Sequence, residues 1–166
     1  MTSAHPETVG AHPIPMRPFT ASLPMALLRA RDAAMRIFRP LLAEHDLTDQ
    51  QWRVLRALAA AEDGLDAGDL ADRTSLLAPS LSRILANLES RGLTDRTTHD
   101  HDQRRARISL SADGHALVTL VAPSSEAAYN RIEREFGADR LRDLLAELHA
   151  LAALDMAARE PAEEAS

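Results

Sequence analysis

After Gly92 the apolar period of this chain changes from helical to alternating, and that switch narrows the fold more than any other feature. Upstream of it, Asp66 stands where a short helix carrying Leu70 and Ala71 needs a cap, and Thr74-Ser75-Leu76-Leu77 supplies a turn. Pro79 suits the first turn of a further helix, where its missing N–H has no intrahelical partner to lose. That helix is expected to reach Arg91 and stop at Gly92, a residue suited to a left-handed C-terminal cap. Its inward face is Leu81, Ile84 or Leu85, and Leu88; its outward face is Ser80, Ser82, Arg83, Ala86 and Asn87. Beyond Gly92, residues 93–98 and 107–110 read as strands joined by a polar loop, 99–105. A tight pair of helices followed at once by a hairpin is a winged helix-turn-helix.

The flanks are helical. Ala and Leu dominate a composition that is 45% apolar but only 3% aromatic, which favours helix over strand. A first long helix is expected over 23–44, with the stripe Leu23, Leu27, Ala30, Ala34, Ile37, Phe38 and Leu41, bent at Pro40. Thr48-Asp49-Gln50-Gln51 fits a capping box opening a second helix that turns Trp52, Leu55, Leu58 and Ala59 inward. Two helices close the chain, over 111–135 and 138–159, separated at Gly137. The last carries Leu141, Leu144, Leu145, Leu148, Leu151 and Leu154, a stripe wide enough to pack with the first helix of a second copy; packing within one chain is the alternative. The expected layout is an extended or disordered arm over 1–21, dimerisation helices over 22–46 and 112–159, a DNA-binding lobe over 47–111, and a polar tail over 160–166. The fold class is all-α with a small β-wing, dimerised through the N- and C-terminal helices.

Several function classes drop out. There are no cysteines, so disulfides, thiolate metal sites and thiol redox sensing are excluded. No apolar run approaches the roughly 20 residues that span a bilayer, and the N-terminus lacks a basic segment before an apolar core, so we expect a cytoplasmic protein with no membrane partner. There is no G-x-S-x-G and no glycine-rich phosphate loop among only six glycines, so neither an enzyme nor a cofactor is expected. His99-Asp100-His101-Asp102 has donor atoms for a metal, but the segment is short and lacks a matching cluster elsewhere; we read it as a polar wing loop, with no metal.

Charge then points to a partner. The net charge is −6, yet all 19 basic residues are arginines, and residues 73–107 hold seven of them against four acids. That middle segment is therefore +3 and the remainder −9. An acidic body with a basic middle suits a protein of which one face meets phosphate. A helix fits the major groove with its N-terminal residues at the base edges. Ser80, Ser82, Arg83 and Asn87 stand on that outward face, and arginine can fork onto guanine. Arg104 and Arg105, in the wing loop, suit the flanking minor groove. The competing reading is a helical homodimeric interaction module that binds no DNA; it leaves the basic wing unexplained.

Asp102-Gln103-Arg104, then Ile108-Ser109-Leu110-Ser111-Ala112-Asp113-Gly114, resembles the wing and exit of the MarR family of regulators, whose motif reads D-x-R and then L-T-x-x-G. Ser111 replaces the usual threonine and still offers a capping hydroxyl. The segment 80–96, with Leu88-Glu89 and Arg91-Gly92-Leu93, resembles that family's recognition helix and its continuation, and the order of elements agrees over 22–157. Leu27-Leu28-Arg29-Ala30-Arg31-Asp32-Ala33-Ala34-Met35, Phe38-Arg39-Pro40, Leu47-Thr48-Asp49-Gln50-Gln51-Trp52-Arg53, Leu77-Ala78-Pro79-Ser80-Leu81 and Glu126-Ala127-Ala128-Tyr129 narrow the resemblance to the homoprotocatechuate-degradation repressor subgroup. The resemblance implies a homodimeric repressor on a pseudo-palindromic double-stranded DNA operator, released by a small aromatic acid. That acid is homoprotocatechuate-like, or a related hydroxylated or heteroaromatic acid such as a nicotinate derivative.

For such an effector, Arg31 falls on the helical row of Leu27, Met35 and Phe38, where a guanidinium can fork a carboxylate while aromatics hold the ring. A structural ion pair or a stem laid along apolar surface is the other reading of Arg31. Trp52, with Arg53 and Arg56 nearby, is either core or ligand wall. Arg31, Met35, Phe38, Trp52 and Arg53 are the candidate effector residues.

Overall fold

The computed structural model describes residues 16–98 and 106–154. The chain falls into two compact units, Met1–Ala34 and Met35–Ser166. In the first, a single 3-10 turn at Phe19–Ala21 precedes α1 (Leu23–Ala43), and the Arg29 guanidinium lies over the Phe19 ring at 5.8 Å from its centroid. Leu23, Leu27 and Leu28 are exposed on this part of α1.

The second unit contains the end of α1, then α2 (Asp49–Ala59), α3 (Ala67–Thr74), α4 (Ala78–Ser90), β1 (Thr94–Thr98), β2 (Ala106–Leu110), α5 (Ala112–Phe136) and α6 (Ala138–Ala152). The caps follow from the residues. At the start of α2 the Thr48 hydroxyl accepts from the Gln51 N–H, and Gln51 Oε1 accepts from the Thr48 N–H. Asp66 caps α3 through the Asp69 N–H. Ser75 takes φ +50 to make the turn, and Pro79 sits in the first turn of α4. Gly92 ends that helix at φ +69, a conformation that costs glycine nothing.

The core forms where α2, α3 and α4 meet the hairpin and α5. Val54, Leu55, Leu58, Leu70, Leu81, Leu85, Leu88, Ile108 and Val121 are all buried there. Ala59, expected inward from the sequence, is exposed; Val54 takes the buried position, because the stripe of α2 is centred on Leu55 and Ala59 lies at the solvent edge of the last turn. β1 and β2 pair antiparallel, with Thr94 opposite Leu110 and Thr98 opposite Ala106. Leu65 adds an isolated bridge to Ile108, closed by Leu65 N–H to Ile108 O (2.9 Å) and Ile108 N–H to Leu65 O (2.8 Å). The wing is thereby pinned to the loop before α3, and Arg107 reinforces it by donating to the Asp63 and Gly64 carbonyls.

The exit of the wing explains the L-S-x-x-G pattern. Ser111 caps α5 through the Gly114 N–H and donates to the Gly92 carbonyl. Gly114 is buried so close to the strand that a Cβ would stand 2.0 Å from Leu93 O, so no larger residue fits. Among the described residues α6 ends at Ala152; of the helix expected to 159, residues 155–159 lie outside them. None of its residues is buried; Leu144 and Leu145 are exposed and Leu141, Leu148 and Leu151 only half-buried.

Candidate nucleic-acid interface and ligand cavity

The burial of Leu81, Leu85 and Leu88 decides which face of α4 is presented outward. Ser82, Arg83, Ala86 and Asn87 are exposed and Ser80 is half-buried. Ser80, Arg83, Ile84 and Asn87 form one wall of a cleft of about 340 Å³, whose other wall is Thr48, Gln50 and Gln51 at the start of α2. The two walls are joined by one hydrogen bond, from Gln51 Nε2 to Asn87 Oδ1 at 2.6 Å. One turn beyond Asn87, at the cap of α4, Arg91 donates to the Asp46 and His45 carbonyls, where Asp46 turns the chain at φ +53. The C-terminal end of α4 is thus held to the segment that follows α1. On the hairpin, Arg96 pairs with Glu89 of α4 at 2.9 Å. Arg104, Arg105, His99 and His101 lie outside the described residues.

A second cavity, of about 350 Å³, opens between the end of α1, α2, α3 and α5. Met35, Phe38, Trp52 and Ala57 line it with Tyr129, and Asp49, Arg53, Arg56 and Arg73 bring charge to it. Phe38 meets the Tyr129 ring edge-on at 4.8 Å between centroids. Arg56 stacks over the same ring at 5.5 Å and donates through Nη1 to the Tyr129 hydroxyl at 2.6 Å. Arg53 donates to the Thr74 carbonyl at 2.8 Å, so part of its guanidinium closes the turn of the helix-turn-helix. Trp52 is 6% exposed, and its indole N–H has no acceptor among the described residues. A buried donor left unpaired costs about 1–3 kcal/mol, and an acceptor supplied by a ligand would recover it. Size, aromatic walls, three arginines and an open donor together suit a small aromatic anion.

The segment 45–105 matches the MarR family. The homoprotocatechuate degradative operon repressor of Escherichia coli is 45% identical over 123 residues, which cover 74% of this chain and 82% of that protein. The chain belongs to the MarR family. Among solved structures, NadR in complex with 4-hydroxyphenylacetate is 37% identical with a TM-score of 0.73, over 86% of this chain and 100% of that one. The transcriptional repressor CouR, bound to a 23-mer DNA duplex, is 28% identical with a TM-score of 0.73, over 80% of this chain and 94% of that one. These relatives share the winged-helix architecture described above.

As a MarR-family regulator the chain binds DNA, and the competing module without DNA binding falls away. The structure brings Met35, Phe38, Trp52 and Arg53 to one cavity. Arg31 belongs to the other unit, is half-exposed, and stands 3.9 Å from the Asp32 carboxylate. Sequence reasoning missed Asp49, Arg73 and Tyr129. Arg56, one helical turn from Trp52 on α2, is noted beside Trp52 in the sequence but is not among the candidate effector residues there. Tyr129 comes from 73 positions further along the chain and carried no local signal.

Proposed function

We propose that this regulator is a homodimeric repressor that seats two α4 helices in successive major grooves of a pseudo-palindromic operator and leaves it on binding a small aromatic acid. It acts in the cytoplasm. The cavity beneath Tyr129 carries the effector half of this reading: Arg56 takes the carboxylate with the Tyr129 hydroxyl, Phe38 and Met35 hold the ring, and the Trp52 N–H meets a ring or carboxylate oxygen. Because Arg73 belongs to the helix-turn-helix and Arg53, lining the same cavity, is bonded to its turn at Thr74, a ligand there pulls directly on the reading lobe. The two α4 helices would have to lie about 34–36 Å apart to meet successive grooves, and the effector favours a spacing that does not fit. The E. coli relative's repression of homoprotocatechuate degradation and NadR's 4-hydroxyphenylacetate complex support a hydroxylated phenylacetate over a nicotinate derivative.

A panel of hydroxylated phenylacetates, benzoates and hydroxynicotinates, read by thermal shift and by release from operator DNA, tests it. A hydroxyphenylacetate should raise the melting temperature and release DNA over the same concentration range. Stabilisation by none of the panel, with operator binding intact, would overturn the effector assignment.

A further inference from the structure

The hydrogen bond that joins α2 to the recognition helix has a direction, and the direction bears on base reading. Gln51 Oε1 accepts from the Thr48 backbone N–H at 2.8 Å, and a backbone N–H can only donate. The amide of Gln51 is therefore fixed with Nε2 on the other side, where it donates to Asn87 at 2.6 Å. The atom of Asn87 that receives it must be Oδ1. Amide planarity then turns Asn87 Nδ2 away from Gln51, and Asn87 is exposed on the same face of α4 as Arg83. A chain of three groups, started by the helix cap, leaves Asn87 presenting donors outward.

We propose that Gln51 is a specificity-determining residue that acts through Asn87, holding its amide donor-outward so that α4 reads an acceptor edge at the base opposite it. Free asparagine reads adenine by pairing Oδ1 with N6–H and Nδ2–H with N7 at once. With Oδ1 turned to Gln51, that bidentate mode is lost. The edges that suit donors alone are guanine, through N7 and O6, and thymine, through O4. Cytosine offers only a donor and is disfavoured. Gln51 is thus a positioning residue that need not touch DNA, and the inference rests on α4 lying in the major groove.

Selection of operators from a random duplex library with the full chain and four variants tests it. Asn87→Ala locates the position that Asn87 reads, as the one where preference relaxes; wild type should there favour guanine or thymine. Gln51→Glu keeps an acceptor for the Thr48 N–H, and so the cap, but has no donor. Asn87 must then turn Nδ2 toward Glu and Oδ1 outward. Preference at that position alone should move to cytosine or adenine, by roughly fivefold to a hundredfold relative to wild type. Gln51→Ala releases the amide to rotate and should admit adenine there without excluding guanine. A Gln51→Glu protein that selects the wild-type base at the Asn87 position overturns the inference. So does an Asn87→Ala protein whose motif is unchanged; Arg83→Ala, selected in parallel, then shows whether α4 is docked at all.

Discussion

Trp52 shows how one residue can satisfy packing and still leave chemistry open. Its ring is buried against the core, yet its N–H has no acceptor among the described residues and it lines the aromatic cavity. Sequence alone leaves Trp52 divided between core and ligand wall, and geometry gives it both faces. Arg31 is legible only as a position on a helical row, and a row does not say which groups α2 and α5 bring to the same place. The carboxylate reading therefore moves to Arg56, which the Tyr129 hydroxyl already orients. We expect Arg56→Ala to bind operator normally and to need roughly tenfold to a hundredfold more acid for release, the equivalent of a charged hydrogen bond worth about 1.5–3 kcal/mol. Trp52→Phe keeps an aromatic ring and removes the N–H, and should weaken the response by a smaller factor. Arg31→Ala should respond as wild type. Titration calorimetry of the three variants checks this, and an Arg31→Ala protein that alone loses the acid would restore the sequence-based assignment.

At the scale of elements, the helix-turn-helix is the most legible part, because its signals are local. Thr48 with Gln51, Asp66, Pro79 and Gly92 each act within a turn of themselves, and each stands where its chemistry predicts. The Leu65 bridge to Ile108 is not legible, since a single paired residue has no period to detect. The same locality separates the two DNA-reading elements. Arg83, exposed on α4, is proposed for base edges, and Arg104, between β1 and β2 in the sequence, for the minor groove, where A·T and T·A look alike. Arg83→Ala should cost about 1–3 kcal/mol and relax one position in each half-site. Arg104→Ala should weaken all operator variants alike and flatten the log–log salt dependence by roughly 0.9 for each phosphate no longer neutralised. Both subunits carry the change, so the effect doubles in a dimer. A salt titration on matched and mismatched operators distinguishes them, and an unchanged slope for Arg104→Ala removes the wing from the DNA.

The whole molecule poses a question that a single chain cannot answer internally. α6 has an apolar stripe and no buried residue, and Leu144 and Leu145 stand 41% and 46% exposed. In the other unit Leu23, Leu27 and Leu28 are exposed as well. Scattered leucines are ordinary on a surface, but a stripe repeated along one helix marks a face that is covered in use. The proposed two-fold operator calls for a two-fold protein, so a second copy is the cover that fits the proposed function. The double variant Leu144→Asp, Leu145→Asp tests this without touching the reading lobe. Both side chains are exposed in the single chain, so each chain should keep its helical content. Sedimentation should show a monomer where wild type is a dimer. Operator affinity should then fall by roughly 10²–10⁴, because the second half-site is no longer delivered at high effective concentration. Binding to an isolated half-site should be unchanged, which separates lost pairing from a damaged lobe. A double variant that sediments as a dimer and binds the full operator like wild type would exclude these leucines from the interface.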